Sequence, residues 1–343
     1  MNLEKVNPIE LSSWDDLVLG LSKPSFFYSS SWARVLRDTY GYTPMYFVLL
    51  DDNELKFMLP MMSIKSWLTG SRGVSLPFTD YCEPYVHQGY RFKDLFDEVK
   101  KTGKDLKWKS MEIRGGREYF QKSKPSLVYY CHTLTLADEN VLFQKMKKSV
   151  QRNIRNASKQ GVQVVVDSSA EAMDDFYRLN CITRRKHGLP PQPHQFFKHL
   201  YDYVIRNEKG VISRAHWKGE AIAASVFFHF GDQAIYKYGA SDIAHLPLRA
   251  NNLVIWEAIQ HYAKRNYETL SFGKTEGHNE GLRRYKLGWG ADEQVLQYYR
   301  YDLRSDRFVE DLSLESGWHT KILERMPLPM LSAVGRFLYR HIG

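Results

Sequence analysis

Cysteine is scarce: three residues, Cys82, Cys131 and Cys181, lie far apart in a chain of 343. So few, so scattered, exclude a disulfide framework and a zinc knuckle, and reduced, buried or half-buried thiols are expected. No apolar run approaches the roughly 18 to 20 residues that cross a bilayer. The opening MNLEKVNPIELSSWDD has neither a basic start nor a hydrophobic stretch, so no secretory signal is read and a cytoplasmic protein is expected. Repeats, low-complexity tracts and Gly/Ser linkers are absent, so any domains must be joined through structured segments. His194 and His199 stand five apart with no Glu between them, which fails the H-E-x-x-H pattern, and no metal is expected. A G-x-S-x-G elbow and a Walker loop are also missing.

Acid is in deficit. Lys plus Arg is 48 against 39 for Asp plus Glu, a net charge of +9 that calls for an anionic partner: nucleic acid, a phosphorylated ligand or a membrane surface. Apolar residues at 43% and charged residues at 25% are ordinary globular usage. Aromatics are the one excess, at 14% with 22 Tyr and 8 Trp. At roughly 150 residues per domain the length fits about two.

The first half is rich in strands. A helix is predicted over Ser30–Asp38 with Ser30 or Ser31 as N-cap, then the strand MYFVLL, a turn at Asp52 and Asn53, and a returning strand LKFMLPMMSIK. Pro60 inside that strand predicts an edge or a bulge. VSLPFTDYCEPYV reads as a broken extended segment and Phe92–Lys100 as an amphipathic helix, with LKWKSMEIRG and CHTLTL as strands. Phe143, Met146, Val150, Ile154 and Ala157 then recur at helical spacing, and Lys145, Lys147, Lys148, Arg152, Arg155 and Lys159 cover the other faces. With Gly161 as C-cap, this helix marks the domain junction: residues 1–160 and 161–301, with 302–343 available to complete the first. The basic face is either simply solvated or presents Arg152 and Arg155 to a phosphate, a task that suits guanidinium forks.

The second half reads as a helix over Ala170–Lys186, an extended GLPPQP, and a helix over Gln195–Arg206. Three strands follow, VISRAHW, AIAASVFFHF and QAIYKYGAS, then a helix over Ala250–Arg265. A strand TLSFG leads into a polar loop KTEGHNEG, and a final strand pair surrounds VLQYYRYDL.

The segment LSFGKTEGHNEGLRRYKLGWGADEQVLQYY resembles the closing segment of the FemABX-like acyltransferase family of the GNAT superfamily, peptidoglycan-bridge aminoacyltransferases among them. KKSVQRNIRNASKQGVQV resembles that family's basic helix, and SLPFTDYCEP its first-domain loop. Three motifs in order and spacing span about Tyr28 to Tyr301. The resemblance implies an α/β (α+β) chain of two GNAT-like acyltransferase domains in tandem. It also implies transfer of an acyl or aminoacyl group from an activated carrier to an amine of a cell-envelope or exopolysaccharide precursor. The donor stays open between acyl-CoA and aminoacyl-tRNA.

Lys286, in YKLGWG, resembles the lysine that the family places near the transferred group, where a cation steadies an oxyanion or leaving group. Asp80, in FTDY, is the candidate carboxylate for the amine, or else caps a turn through its own backbone. Tyr81 is a candidate ligand contact, and Tyr238 ends a strand where such domains open toward their ligand. Arg152, Arg155, Arg249, Asn252, Lys274 and Arg284 are candidates for a carrier or acceptor phosphate, with Arg249 and Asn252 at a helix start. That start reads SDIAHLPLRANNL and lacks the glycine-rich loop of an acetyl-CoA enzyme. MPLPMLSAVGRFLYRHIG, residues 326–343, is either a helix docked on the first domain or a basic amphipathic helix on an anionic bilayer. DNA is not an expected partner. A second reading of the whole chain is a non-catalytic basic module on the same scaffold, holding a phosphorylated glycan or nucleic acid.

Overall fold

The computed structural model describes residues 3–310, 323 and 326–342. Residues 311–322, within the stretch expected to complete the first domain, lie outside the described residues.

The chain divides into two compact units. One is built from Met1–Tyr129, the strand residues from Val295 onward, and the last residues from Phe337. The other runs from Tyr130 to Gln294 and includes the helical residues up to Arg336. The expected junction after residue 160 differs from this division. The basic helix Lys148–Lys159 belongs to the second unit, because Val150, Ile154 and Ala157 pack in one core with Leu253, Ile259, Phe272 and Trp289. Its periodicity announced an apolar face without saying which partner would cover it.

In the first unit, Glu4–Val6, Tyr46–Asp51, Glu54–Leu59 and Tyr85–Val86 form an antiparallel sheet in that order. A further run of strands pairs Thr43–Pro44, Met62–Ser66, Gly70–Val74, Ser110–Arg114 and Asp292–Asp302. LKFMLPMMSIK is therefore two strands in two sheets and not one. Pro60 has no N–H to give a ladder, and the chain changes sheet there. The turn at Asp52 and Asn53 forms as expected, with both residues at positive φ, the geometry a tight hairpin requires. Helix Ser30–Tyr40 starts where expected and runs two residues further, but its cap is Ser29 and not Ser30 or Ser31: Ser29 accepts from the Trp32 amide, and the helix stops at Gly41 in the left-handed region.

In the second unit the sheet order is Gln163–Asp167, Gly210–Trp217, Glu220–Phe230, Gln233–Ser241, Thr269–Glu276, then Leu127–Thr135. Neighbours are antiparallel up to Gln233–Ser241, which lies parallel to Thr269–Glu276. Helix Ala250–Ala263 is apolar nearly all round because it packs between the sheet and Lys148–Lys159. The predicted helix through 143–157 is broken: Glu139–Lys145 and Lys148–Lys159 are separate, and Gln151 reaches the Phe143 and Met146 carbonyls at the break. Arg214, 7% exposed, binds Asp167 at 2.8 Å, Asp175 at 2.7 Å and Glu171 at 3.2 Å, locking helix Ala170–Lys186 onto the sheet.

Candidate active site

Two features of strand pairing create the site in the second unit. Val226 pairs with Tyr238 but Phe227 with Tyr236, so Lys237 is an extra residue that bulges the strand. The parallel ladder between Gln233–Ser241 and Thr269–Glu276 then stops at Ile235 and Ser271, although both strands continue. Past that point Gly273 takes φ +67°, a conformation glycine adopts without steric cost. Backbone carbonyls freed in this way need partners.

Lys286 supplies one. Its Nζ donates to the carbonyl oxygens of Gly273 at 3.1 Å and Lys274 at 2.9 Å, and only 4% of the residue is exposed. The lysine sits in the last turn of a helix, Glu280–Leu287, whose first two residues fall in the expected polar loop KTEGHNEG. Asn279 caps it by accepting from the Leu282 amide at 3.1 Å, while KTE continues the preceding strand. Trp289 is fully buried and stacks on Phe272, and Gly290 turns the chain at φ +80°, so these are packing and turn residues.

Sequence reading missed the charges beside Lys286. Arg283 grips Glu293 through two hydrogen bonds of 2.5 Å, and the same carboxylate accepts from Nε2 of His132 at 2.9 Å. Arg283 also lies flat over the Tyr130 ring, 3.8 Å from its centroid. The Arg283 hydrogen bonds, with His132 adding to them, hold the Glu293 carboxyl below its usual range. Burial, and next the positive charge of Lys286, push His132 down despite Glu293. His132 is thus a neutral imidazole whose Nε2 carries the proton, and its buried Nδ1 has no hydrogen-bond partner among the described residues. Burial and the fixed cation together hold the ring in its neutral form.

The remaining candidates scatter. Arg152 and Arg155 are exposed on helix Lys148–Lys159, with Arg155 over the Phe143 ring at 5.1 Å. Among the described residues no carboxylate pairs with either of them, nor with Lys145, Lys147, Lys148 or Lys159. Arg284 is exposed and spaced one turn from Glu280 at 3.5 Å. Tyr238 packs among Phe176, Phe196, Phe197 and Phe228. Arg249 stands at φ +57° before helix Ala250–Ala263, and Asn252 is buried in its first turn. The Asn252 amide is already given to the Arg249 carbonyl at 3.0 Å.

Asp80 and Tyr81 belong to the first unit. Their loop bends through Leu76 and Phe78, both at positive φ, a strained geometry for bulky residues. Two side chains hold it by its carbonyls: Arg114 reaches Leu76 O at 3.2 Å, and Tyr298 donates to Asp80 O at 2.5 Å. Asp80 is half-buried, and Tyr81 packs edge-on against Phe27.

Residues 61–216 match the model of the FemAB family, and residues 144–294 match that of an acetyltransferase (GNAT) domain. By these two matches the chain is similar to the FemAB family over its middle and to GNAT acetyltransferases over 144–294. It is accordingly an N-acyltransferase, and its two-unit α/β architecture is that of tandem GNAT-like proteins. A crystal structure of FemX superposes with a TM-score of 0.66 at 12% identity, covering 85% of this chain and 96% of that one. A tandem GNAT protein from the clavulanic acid biosynthesis pathway gives 0.55 at 10% identity over 88% and 99%. The C-terminal domain of a putative lysylphosphatidylglycerol synthetase from Agrobacterium fabrum gives 0.56 at 11% over 82% and 89%. No curated protein matches the sequence. The FemAB-like enzyme thus carries its buried lysine within the residues of the acetyltransferase model, while Asp80 lies within those of the FemAB model.

Proposed function

We propose that this FemAB-like enzyme transfers an aminoacyl or acyl group from a phosphate-bearing carrier to an amine of a lipid-linked cell-envelope or exopolysaccharide precursor. The observation that carries the reading is Lys286, a buried ammonium pinned on the Gly273 and Lys274 carbonyls where two strands part. In the reaction the amine nitrogen bonds to the carbonyl carbon, the ester or thioester bond to the carrier breaks, and the amine proton passes to the leaving group. Lys286 steadies the negative charge that develops on the carbonyl oxygen. His132, kept neutral beside it, relays the proton, and Asp80 orients the amine. Arg152, Arg155, Arg249, Lys274 and Arg284 take phosphates of carrier or acceptor, Tyr81, Tyr238 and Asn252 contact substrate, and segment 326–343 lets the enzyme work against an anionic bilayer.

Of the two donors, aminoacyl-tRNA is favoured. The helix start at Ala250 has no glycine, is closed by the 3-10 turn Ile243–Leu248, and has already spent the Asn252 amide on Arg249. A pyrophosphate seeking free backbone N–H groups finds little there. The exposed cations of helix Lys148–Lys159 suit a polynucleotide backbone. The test is turnover with acyl-CoA and aminoacyl-tRNA panels, comparing the natural enzyme with Lys286→Ala. Loss of about a hundred- to a thousand-fold in kcat supports the reading. A variant within a few-fold of the natural enzyme removes Lys286 from the mechanism, and turnover with acyl-CoA alone reverses the choice of donor.

A further inference from the structure

Trp67 is 78% exposed and Leu68 54% exposed, at the tip of the hairpin joining Met62–Ser66 to Gly70–Val74. Large apolar side chains on a loop tip lose nothing in folding by being replaced, so their presence there asks for a partner outside the chain. The tip is not loose. Ser66 Oγ accepts the Leu68 and Thr69 amides at 3.2 and 2.9 Å and bonds Nδ1 of His341 at 3.0 Å. Thr69 and Arg72 both donate to the His341 carbonyl, at 3.2 and 2.8 Å. The end of the C-terminal helix is thereby clasped to the hairpin, and its own exposed apolar residues join the same face. Trp67 meets Phe337 at 6.2 Å and His341 at 5.6 Å between ring centroids, Phe337 is 50% exposed, and Ile342 is 58% exposed.

Charge identifies what this face meets. Lys65 and Arg340 are exposed at its margins, and the Lys109 side chain lies across Gly70 at the hairpin's edge. Residues 61–75 and 334–342 contain no Asp or Glu. A protruding Trp–Leu tip whose own hairpin and adjoining helix end carry cations and no acid matches a bilayer surface. The indole sits at headgroup depth, the aliphatic chains enter the acyl boundary, and Lys and Arg bind anionic lipid. We propose that Trp67, Leu68, Phe337 and Ile342, rimmed by Lys65, Lys109 and Arg340, form a preformed docking face for an anionic membrane. This rests on the reading of a lipid-linked acceptor and deepens it: the membrane element is the hairpin tip and helix end together, and not the helix alone.

Co-sedimentation with large vesicles tests it without any donor or acceptor. The protein is expected to sediment with phosphatidylglycerol–phosphatidylcholine vesicles, to release in high salt, and to bind pure phosphatidylcholine weakly. Trp67→Ser combined with Leu68→Ser should lower partitioning by at least about tenfold with an unchanged circular dichroism spectrum and Tm. Lys65→Glu with Arg340→Glu should lower it only for the anionic vesicles. Lipids with brominated acyl chains should quench part of the tryptophan emission, a part that Trp67→Ser removes. Three results would each overturn the proposal: no binding to anionic vesicles, full binding by the tip variant, or a lipid-free dimer that the tip variant dissolves. Lys286→Ala should sediment like the natural protein, so failure here and failure of the transfer chemistry are told apart.

Discussion

His132 donates its Nε2 proton to Glu293 from 161 residues away in the chain, and Arg283 fixes the other side of the same carboxylate. The arrangement sets the tautomer: with Nε2–H committed, the basic lone pair is on Nδ1. Lys286 then biases the ring toward neutrality by its charge, after burial has done most of it.

Glu293→Gln keeps the size of the side chain and ends the charge. His132 loses the partner that opposes its downward shift, and Arg283 loses its carboxylate. The expected result is a fall in kcat with KM for the donor little changed, a fall that His132→Gln reproduces. The double variant should lose no more than the worse single one, since the two act as a unit. Additive losses in steady-state kinetics would separate them.

A pH dependence of stability follows from His229 and His261. Burial, then Arg265, then His229 push His261 down to about 4, in keeping with the Arg265 guanidinium donating to its Nδ1 at 3.1 Å. Burial, with Arg265 adding to it, also lowers His229 despite the Glu208 carbonyl at its Nε2. The unfolded imidazoles titrate near 6.5, so below that pH the unfolded chain holds more protons than the folded one. Stability is full above about pH 6.5 and declines as pH falls toward 4. Glu257, raised by burial, works in the opposite sense over part of this range. Urea midpoints at pH 7 and pH 5 should therefore differ less in His261→Gln than in the natural protein.

Reversing charge at Arg152 and Arg155 tests the basic helix. Both are exposed and neither is paired with a carboxylate among the described residues, so Arg152→Glu with Arg155→Glu should shift Tm little. Affinity for a polynucleotide donor should drop, and the slope of log affinity against log salt should shrink by about 0.7 to 0.9 for each phosphate that the helix no longer neutralises. An unchanged slope would mean that the helix is only solvated.

The periodic elements of this fold were readable because burial imposes its spacing on each helix and strand separately. The meander Gly210–Ser241 and the helices Ala170–Lys186 and Ala250–Ala263 emerged nearly at their predicted bounds. What failed was long-range. Nothing local tells that Val150 and Ile154 turn toward Ile259, or that the chain changes sheet at Pro60. Lys286 stands out through motif resemblance; Glu293 lies in the same segment with nothing local to single it out, and His132 lies in a strand with no motif. The one available sign was register: His132 alternates with Leu134 on the buried side of its strand, where a histidine must find a partner. KTEGHNEG read as a loop because its glycines outweighed the Asn279 cap that starts the following helix.

Asp80→Asn separates chemistry from architecture in the first unit. The strained loop is held through backbone acceptors: Tyr298 on the Asp80 carbonyl and Arg114 on the Leu76 carbonyl. Asparagine leaves both in place and removes only the side-chain charge, so stability should move by no more than about 0.5 kcal/mol. If the Asp80 carboxylate orients or deprotonates the amine, kcat should fall by about a hundred- to ten-thousand-fold, with the acceptor still bound. Tyr298→Phe makes the opposite change. It keeps the carboxylate and releases the loop, so it should cost about 1 to 3 kcal/mol for the unmet buried carbonyl and raise KM along with lowering kcat. Denaturation midpoints together with kcat and KM for the two variants decide the matter. An Asp80→Asn enzyme with natural turnover and a Tyr298→Phe enzyme without it would assign the loop's shape, and not its carboxylate, to the reaction.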